Sequence, residues 1–70
     1  METNLKGRVK WFNLFKGYGF INLTGTDADY FMYHKDVIDK DINEGDSVTF
    51  DEKEGNKGIV AKNVKRIIKN

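Results

Sequence analysis

Eight of the nine aromatic residues lie between positions 11 and 33, and five of them fall within one eleven-residue stretch, KWFNLFKGYGF, Lys10 to Phe20. Rings threaded with lysines combine two chemistries: π-faces that stack on other planar groups, and ammonium groups that attract anions. A hydrophobic core uses rings but gains nothing from lysines and glycines laid among them. A second dense stretch, Asp29-Tyr30-Phe31-Met32-Tyr33-His34, adds three more rings and an imidazole.

Catalytic chemistry has little to work with. His34 is the single histidine, there is no cysteine, and no triad or metal partner is evident for it. His34 therefore reads as a surface stacking or hydrogen-bonding residue, and we expect no catalytic residue, no metal and no cofactor. The acidic run Asp36, Asp39, Asp41, Glu44 and Asp46 lacks calcium-loop spacing and reads as a solvated surface.

The elements that must position the rings are short. Seventy residues leave room for one core, so a single domain is expected over 1–70. Without cysteines no disulfide staples it. No apolar run approaches the roughly 20 residues of a membrane span and no signal-peptide pattern opens the chain, so a cytoplasmic domain with no membrane partner is expected. The prevailing period is two. Extended runs are predicted over Lys6–Asn13, Tyr18–Leu23, Tyr30–Tyr33, Ser47–Glu54 and Lys57–Ile68, with turns at Leu14–Gly17, Thr24–Ala28 and Glu54–Gly58. Helical spacing occurs only within Lys35–Asp46, enough for one turn. The fold class is therefore all-β, a five-stranded antiparallel barrel whose closure removes exposed edges.

Alternation then separates two faces. If Ile21, Leu23, Met32, Val48 and Phe50 point inward, Tyr18, Phe20, Phe31 and Tyr33 point outward together from neighbouring strands. The opposite assignment would put the rings in the core. Gly19 argues against that, because a glycine on the inner face lets a strand coil tightly around a small barrel. So do the hydroxyls of Tyr18 and Tyr33, which would each need a buried partner. An exposed ring platform implies a ligand. With Lys10 and Lys16 beside it, the requirements of single-strand nucleic-acid binding are met: rings for bases and cations for phosphates. A peptide-binding barrel of the SH3 type, taking proline-rich segments on its rings, is the alternative from another class.

Net charge is only +1, but it is unevenly spread: residues 1–26 carry +3, residues 27–54 carry −7 and residues 55–70 carry +5. If the two ends meet, a basic face exists on a nearly neutral protein, and the acidic middle keeps phosphates off the other side.

Lys16-Gly17-Tyr18-Gly19-Phe20-Ile21 fits the ribonucleoprotein-type string of RNA-recognition domains, but that fold needs two substantial helices. The cold-shock family is the other setting for it. Gly7-Arg8-Val9-Lys10-Trp11-Phe12-Asn13 followed by Lys16–Ile21 resembles the opening of a cold-shock protein almost residue for residue. Asp29–His34, Glu44–Phe50, Gly55–Gly58 and Ala61–Val64 resemble the remaining motifs in order, so the likeness covers about 7–64. It implies an OB-type barrel and a monomer without a small-molecule substrate. It also implies binding of single-stranded RNA and DNA, as an RNA chaperone that keeps transcripts unstructured. Position by position it implies a face of Lys10, Trp11, Asn13, Lys16, Tyr18, Phe20, Asp29, Phe31, Tyr33, His34 and Lys57, with Phe12 as a further candidate. Strict alternation would turn Trp11 inward, whereas the family places the matching tryptophan at the binding surface, so a local twist or bulge is expected there. Tyr33 and His34 depart from the family's usual order of histidine then aromatic. Phe15 stands where the family is usually polar, and either extends the platform or packs locally in the turn.

Overall fold

Five strands account for most of the chain in the computed structural model, which describes residues 3–39, 41–55 and 58–67. They are β1 (Leu5–Asn13), β2 (Tyr18–Leu23), β3 (Asp29–Tyr33), β4 (Ser47–Gly55) and β5 (Gly58–Arg66). The boundaries fall within one or two residues of those read from the period-two pattern. Among the described residues the helical turn is a 3-10 turn at His34–Asp36, starting one residue ahead of the Lys35–Asp46 stretch where one was expected. No helix among the described residues is long and apolar enough to cross a membrane.

The strands close into a barrel in the order β1-β2-β3-β5-β4. Four ladders are antiparallel, and the β3–β5 ladder, Phe31 opposite Val60 and Met32 opposite Ala61, is parallel. An all-antiparallel barrel was the expectation. Five strands cannot close that way, because direction flips at every antiparallel step and an odd ring returns inverted. One parallel junction is therefore obligatory, and the arrangement is that of an OB-type barrel.

β1 serves both halves of the ring. Gly7 lies opposite Leu23 on one side and Val48 on the other. A Cβ on Gly7 would sit 2.7 Å from the carbonyl oxygen of Asn22 and 2.9 Å from Phe50 Cε1, so only glycine lets the strand bend there.

The interior is filled by Val9, Ile21, Met32, Val48 and Phe50 from the strands and by Val37 and Ile42 from the β3–β4 connection, with Ala61 and Val64 closing it from β5. Of the residues expected inside, Leu23 is only half-buried, packing against the core from its edge together with Leu5, Phe12 and Tyr30. Tyr30 reaches out of the barrel to donate its hydroxyl to Glu52 Oε1 at 2.8 Å.

The acidic connection is more than a solvated surface. Asp39 Oδ2 accepts the Arg66 N–H at 2.8 Å, and the Arg66 guanidinium meets Asp41 at 3.2 Å and Asp46 at 3.9 Å. Asp36 meets Lys53 at 3.4 Å. These contacts strap the long connection to β4 and β5.

Candidate nucleic-acid interface

The outer faces of β1, β2 and β3 carry one continuous cluster of rings. Tyr18 lies opposite Tyr33, and Phe20 opposite Phe31, with Gly19, Ile21 and Met32 buried between them. Side chains on opposite residues of neighbouring strands share a face, so the period-two pattern puts all four rings outside. Phe20 and Phe31 meet edge to face at 5.3 Å. Tyr18 stacks on Phe31 at 5.3 Å with planes 15° apart, and Phe31 meets Tyr33 at 4.7 Å.

Trp11 joins this cluster through a bulge. Val9 lies opposite Ile21 and Trp11 opposite Phe20, so β1 takes two steps where β2 takes one. The extra residue is Lys10. A bulge moves every later side chain to the other face, and Trp11 turns outward as the resemblance requires. It is 38% exposed and lies 5.4 Å from both Tyr18 and Phe20.

The same shift carries Phe12 inward. It covers Gly19, packs against the core and stacks at 6.3 Å on His34, so Phe12 and His34 form a pair apart from the five outward rings. Gly19 is needed for this contact, since a Cβ there would overlap the Trp11 carbonyl oxygen and lie 2.9 Å from Phe12 Cα.

The polar candidates divide between shaping the site and lining it. Lys10 Nζ donates to Asp29 Oδ2 at 2.9 Å, and Asn22 Nδ2 donates to Asp29 Oδ1 at 3.2 Å. These two contacts, the lysine first, hold the Asp29 carboxyl below the usual carboxylate range. Asn13 Oδ1 accepts the Lys16 N–H at 3.0 Å and so fixes the β1–β2 turn, leaving the exposed Lys16 at the Tyr18 end of the cluster. Gly17 completes that turn at φ 75°. Phe15 stands fully exposed at its tip (103%). Lys57 lies outside the described residues.

Lys35 and Lys53, beside the rings, escaped the sequence reading. Lys35 Nζ lies 5.7 Å from the centroid of Tyr33, and Lys53 and Ile59 line a groove of about 630 Å³ that opens against Phe20, Phe31 and Tyr33. Lys35, two residues past Tyr33, was the one within reach of a local rule. Lys53 and Ile59 depend on the parallel β3–β5 closure, which no local pattern announces.

The sequence is similar to known proteins over nearly its whole length. The family described as the 'Cold-shock' DNA-binding domain matches residues 5–67. Y-box-binding protein 3 of Homo sapiens is 42% identical over 72 residues, covering 91% of this chain. The chain spans only about a fifth of that relative's length (19%). Bacterial relatives match nearly end to end: Cold shock-like protein CspE of Bacillus anthracis is 41% identical over 90% of this chain and 97% of its own length. Cold shock protein 1 of Lactiplantibacillus plantarum is 47% identical over 83% of this chain and 91% of its own. With that family match over most of its length and these relatives at above 40% identity, this chain belongs to the cold-shock domain family.

Proposed function

We propose that this protein binds single-stranded RNA and DNA by stacking bases on Trp11, Tyr18, Phe20, Phe31 and Tyr33, with Lys10 and Lys16 neutralising phosphates. The outward five-ring cluster carries this reading. Stacking contributes roughly 1–3 kcal/mol per base and tolerates any sequence, and duplexes hide the faces it needs. A base held on a ring cannot pair, so the bound strand stays unstructured, which is the action of a nucleic-acid chaperone. The protein works as a non-catalytic monomer on cytoplasmic transcripts. Asn13 and Asp29 edge the same surface, and Phe12 and His34 support it from the mouth of the barrel.

Trp11 is the single tryptophan, so its emission reports on the platform directly. Titration with an unstructured oligonucleotide at low salt should quench it, at on the order of 4–16 nucleotides per barrel. Absence of quenching, or equal affinity for a duplex of the same sequence, rejects the proposal.

A further inference from the structure

We infer that a strand leaving the platform past Trp11 continues over a second, ring-free lane formed by Lys6, Arg8 and Lys65, where only its phosphates are held. This rests on the single-strand reading above and adds a phosphate-tracking extension to it.

The lane follows from register. Lys6 lies opposite Thr49 and Arg8 opposite Ser47 across the β1–β4 ladder, and Thr49 lies opposite Lys65 across β4–β5. Gly7 and Val48, the alternate positions, are buried, so Lys6, Arg8, Ser47, Thr49 and Lys65 face outward. The basic ends of the chain thus meet on either side of β4. Lys6 and Lys65 are two strand spacings apart, roughly 10 Å, with a threonine hydroxyl between them.

These cations are uncommitted. Among the described residues Lys10, Lys53 and Arg66 are engaged with carboxylates, whereas Lys6, Arg8 and Lys65 have no ion pair. Asp46 and Asp51, which flank Ser47–Phe50 in the chain, have other partners. Asp51 accepts the Asn4 N–H and the Asn63 side-chain amide, both at 2.9 Å. Asp46 accepts the Asn43 N–H at 2.8 Å and faces Arg66. A shallow groove of about 300 Å³ runs between Lys6, Arg8, Thr24 and Ser47. Cations with interspersed hydroxyls are the side chains that hold phosphate oxygens, and they carry no base preference.

Continuity identifies the occupant. Arg8 is the last outward residue of β1 before the bulge, and it lies opposite Asn22, two positions from Phe20 on the same face of β2. A strand whose bases lie on Trp11 and Phe20 and that runs back along β1 passes Lys10 and then reaches Arg8.

The test compares two oligothymidylates, one of about 6 nucleotides that fills the platform and one of about 12 that reaches the lane. The protein is compared with the Lys6→Gln/Arg8→Gln/Lys65→Gln variant, whose fold is checked by its urea midpoint. Each phosphate contact on a single strand adds about 0.7 to the slope of log affinity against log salt. On the long strand the variant should lose about 2 from that slope. A fourfold rise in salt should then cost the unsubstituted protein about 20-fold more affinity than the variant. On the short strand the two should coincide. Should the triple variant fold poorly, Lys65→Gln alone should lower the long-strand slope by about 0.7. Equal slopes on the long strand, or equal losses on both lengths, overturn the lane while quenching of Trp11 upholds the platform. If neither length quenches Trp11 in the unsubstituted protein, the platform and the lane fall together.

Discussion

Lys10 Nζ sits 2.9 Å from Asp29 Oδ2, tying the bulge residue of β1 to the first residue of β3 across the intervening strand. The lysine nearest the tryptophan is therefore partly neutralised before any phosphate arrives. Exposed pairs of this kind are weak, typically within about 1 kcal/mol, so a phosphate can displace the carboxylate. Asp29→Asn should free Lys10 and tighten oligonucleotide binding at low salt, with the log–log salt slope little changed because Lys10 meets phosphate in both proteins. Affinity unchanged at low salt would mean that Lys10 does not meet phosphate.

Phenylalanines on the two sides of the sheet should respond in opposite ways. Phe31 is half-buried among platform rings, whereas Phe50 is 1% exposed at the centre of the core. Phe31→Ala should cost about 1–3 kcal/mol of binding and less stability, since a ring pair contributes about 0.5–1.5 kcal/mol beyond its burial. Phe50→Ala should cost about 3–5 kcal/mol of stability, enough to unfold most of so small a domain. Urea midpoints beside Trp11 titrations measure both. Loss of folding in Phe31→Ala would make that ring part of the core.

The strand alternation that separates Phe31 from Phe50 was legible because each choice is local. Tyr18–Leu23 and Ser47–Phe50 show a clean period of two, and Gly19 with the Tyr18 and Tyr33 hydroxyls decided which of the two faces, that of Ile21, Met32, Val48 and Phe50, lies inside. Trp11 shows where that rule stops. Its outward position requires one extra residue in β1, and a bulge leaves no mark in polarity; the family resemblance supplied it. The parallel β3–β5 junction was hidden for a different reason, since it follows from counting strands around a closed ring. The straps from Asp39, Asp41 and Asp46 to Arg66 were also invisible, because they join residues more than 15 apart that only the closed barrel brings together.

Gly19 links the bulge to the platform. Its missing side chain is the space that the Trp11 carbonyl and the Phe12 ring occupy. Gly19→Ala must push β1 away from β2 where Trp11 turns outward, and overpacking of this kind typically costs about 1–3 kcal/mol. We expect lower stability together with a shifted Trp11 emission maximum in the free protein. Emission identical to the unsubstituted protein would show that β1 accommodates the methyl without moving the tryptophan.

Acid should loosen the barrel through two carboxylates on different strands. Asp29 is held below the usual carboxylate range first by Lys10 and then by Asn22, and Asp51 first by the Asn63 amide and then by the Asn4 N–H. Asn4 and Asn63 both adopt left-handed backbone, at φ 53° and 52°, so one carboxylate ties the bend before β1 to the irregular step within β5. A depressed folded-state value means that the unfolded chain binds more protons as pH falls through this range. The stabilisation is therefore complete above the unfolded value, about 3.9, and is lost as pH drops through the lower folded values. Urea midpoints measured from pH 6 to pH 2 should decline for the unsubstituted protein below about pH 4. The Asp29→Asn/Asp51→Asn variant should start lower at pH 6 and decline less steeply, because the remaining carboxylates are common to both. Parallel curves would show that neither group is bound more tightly in the folded state than in the unfolded chain.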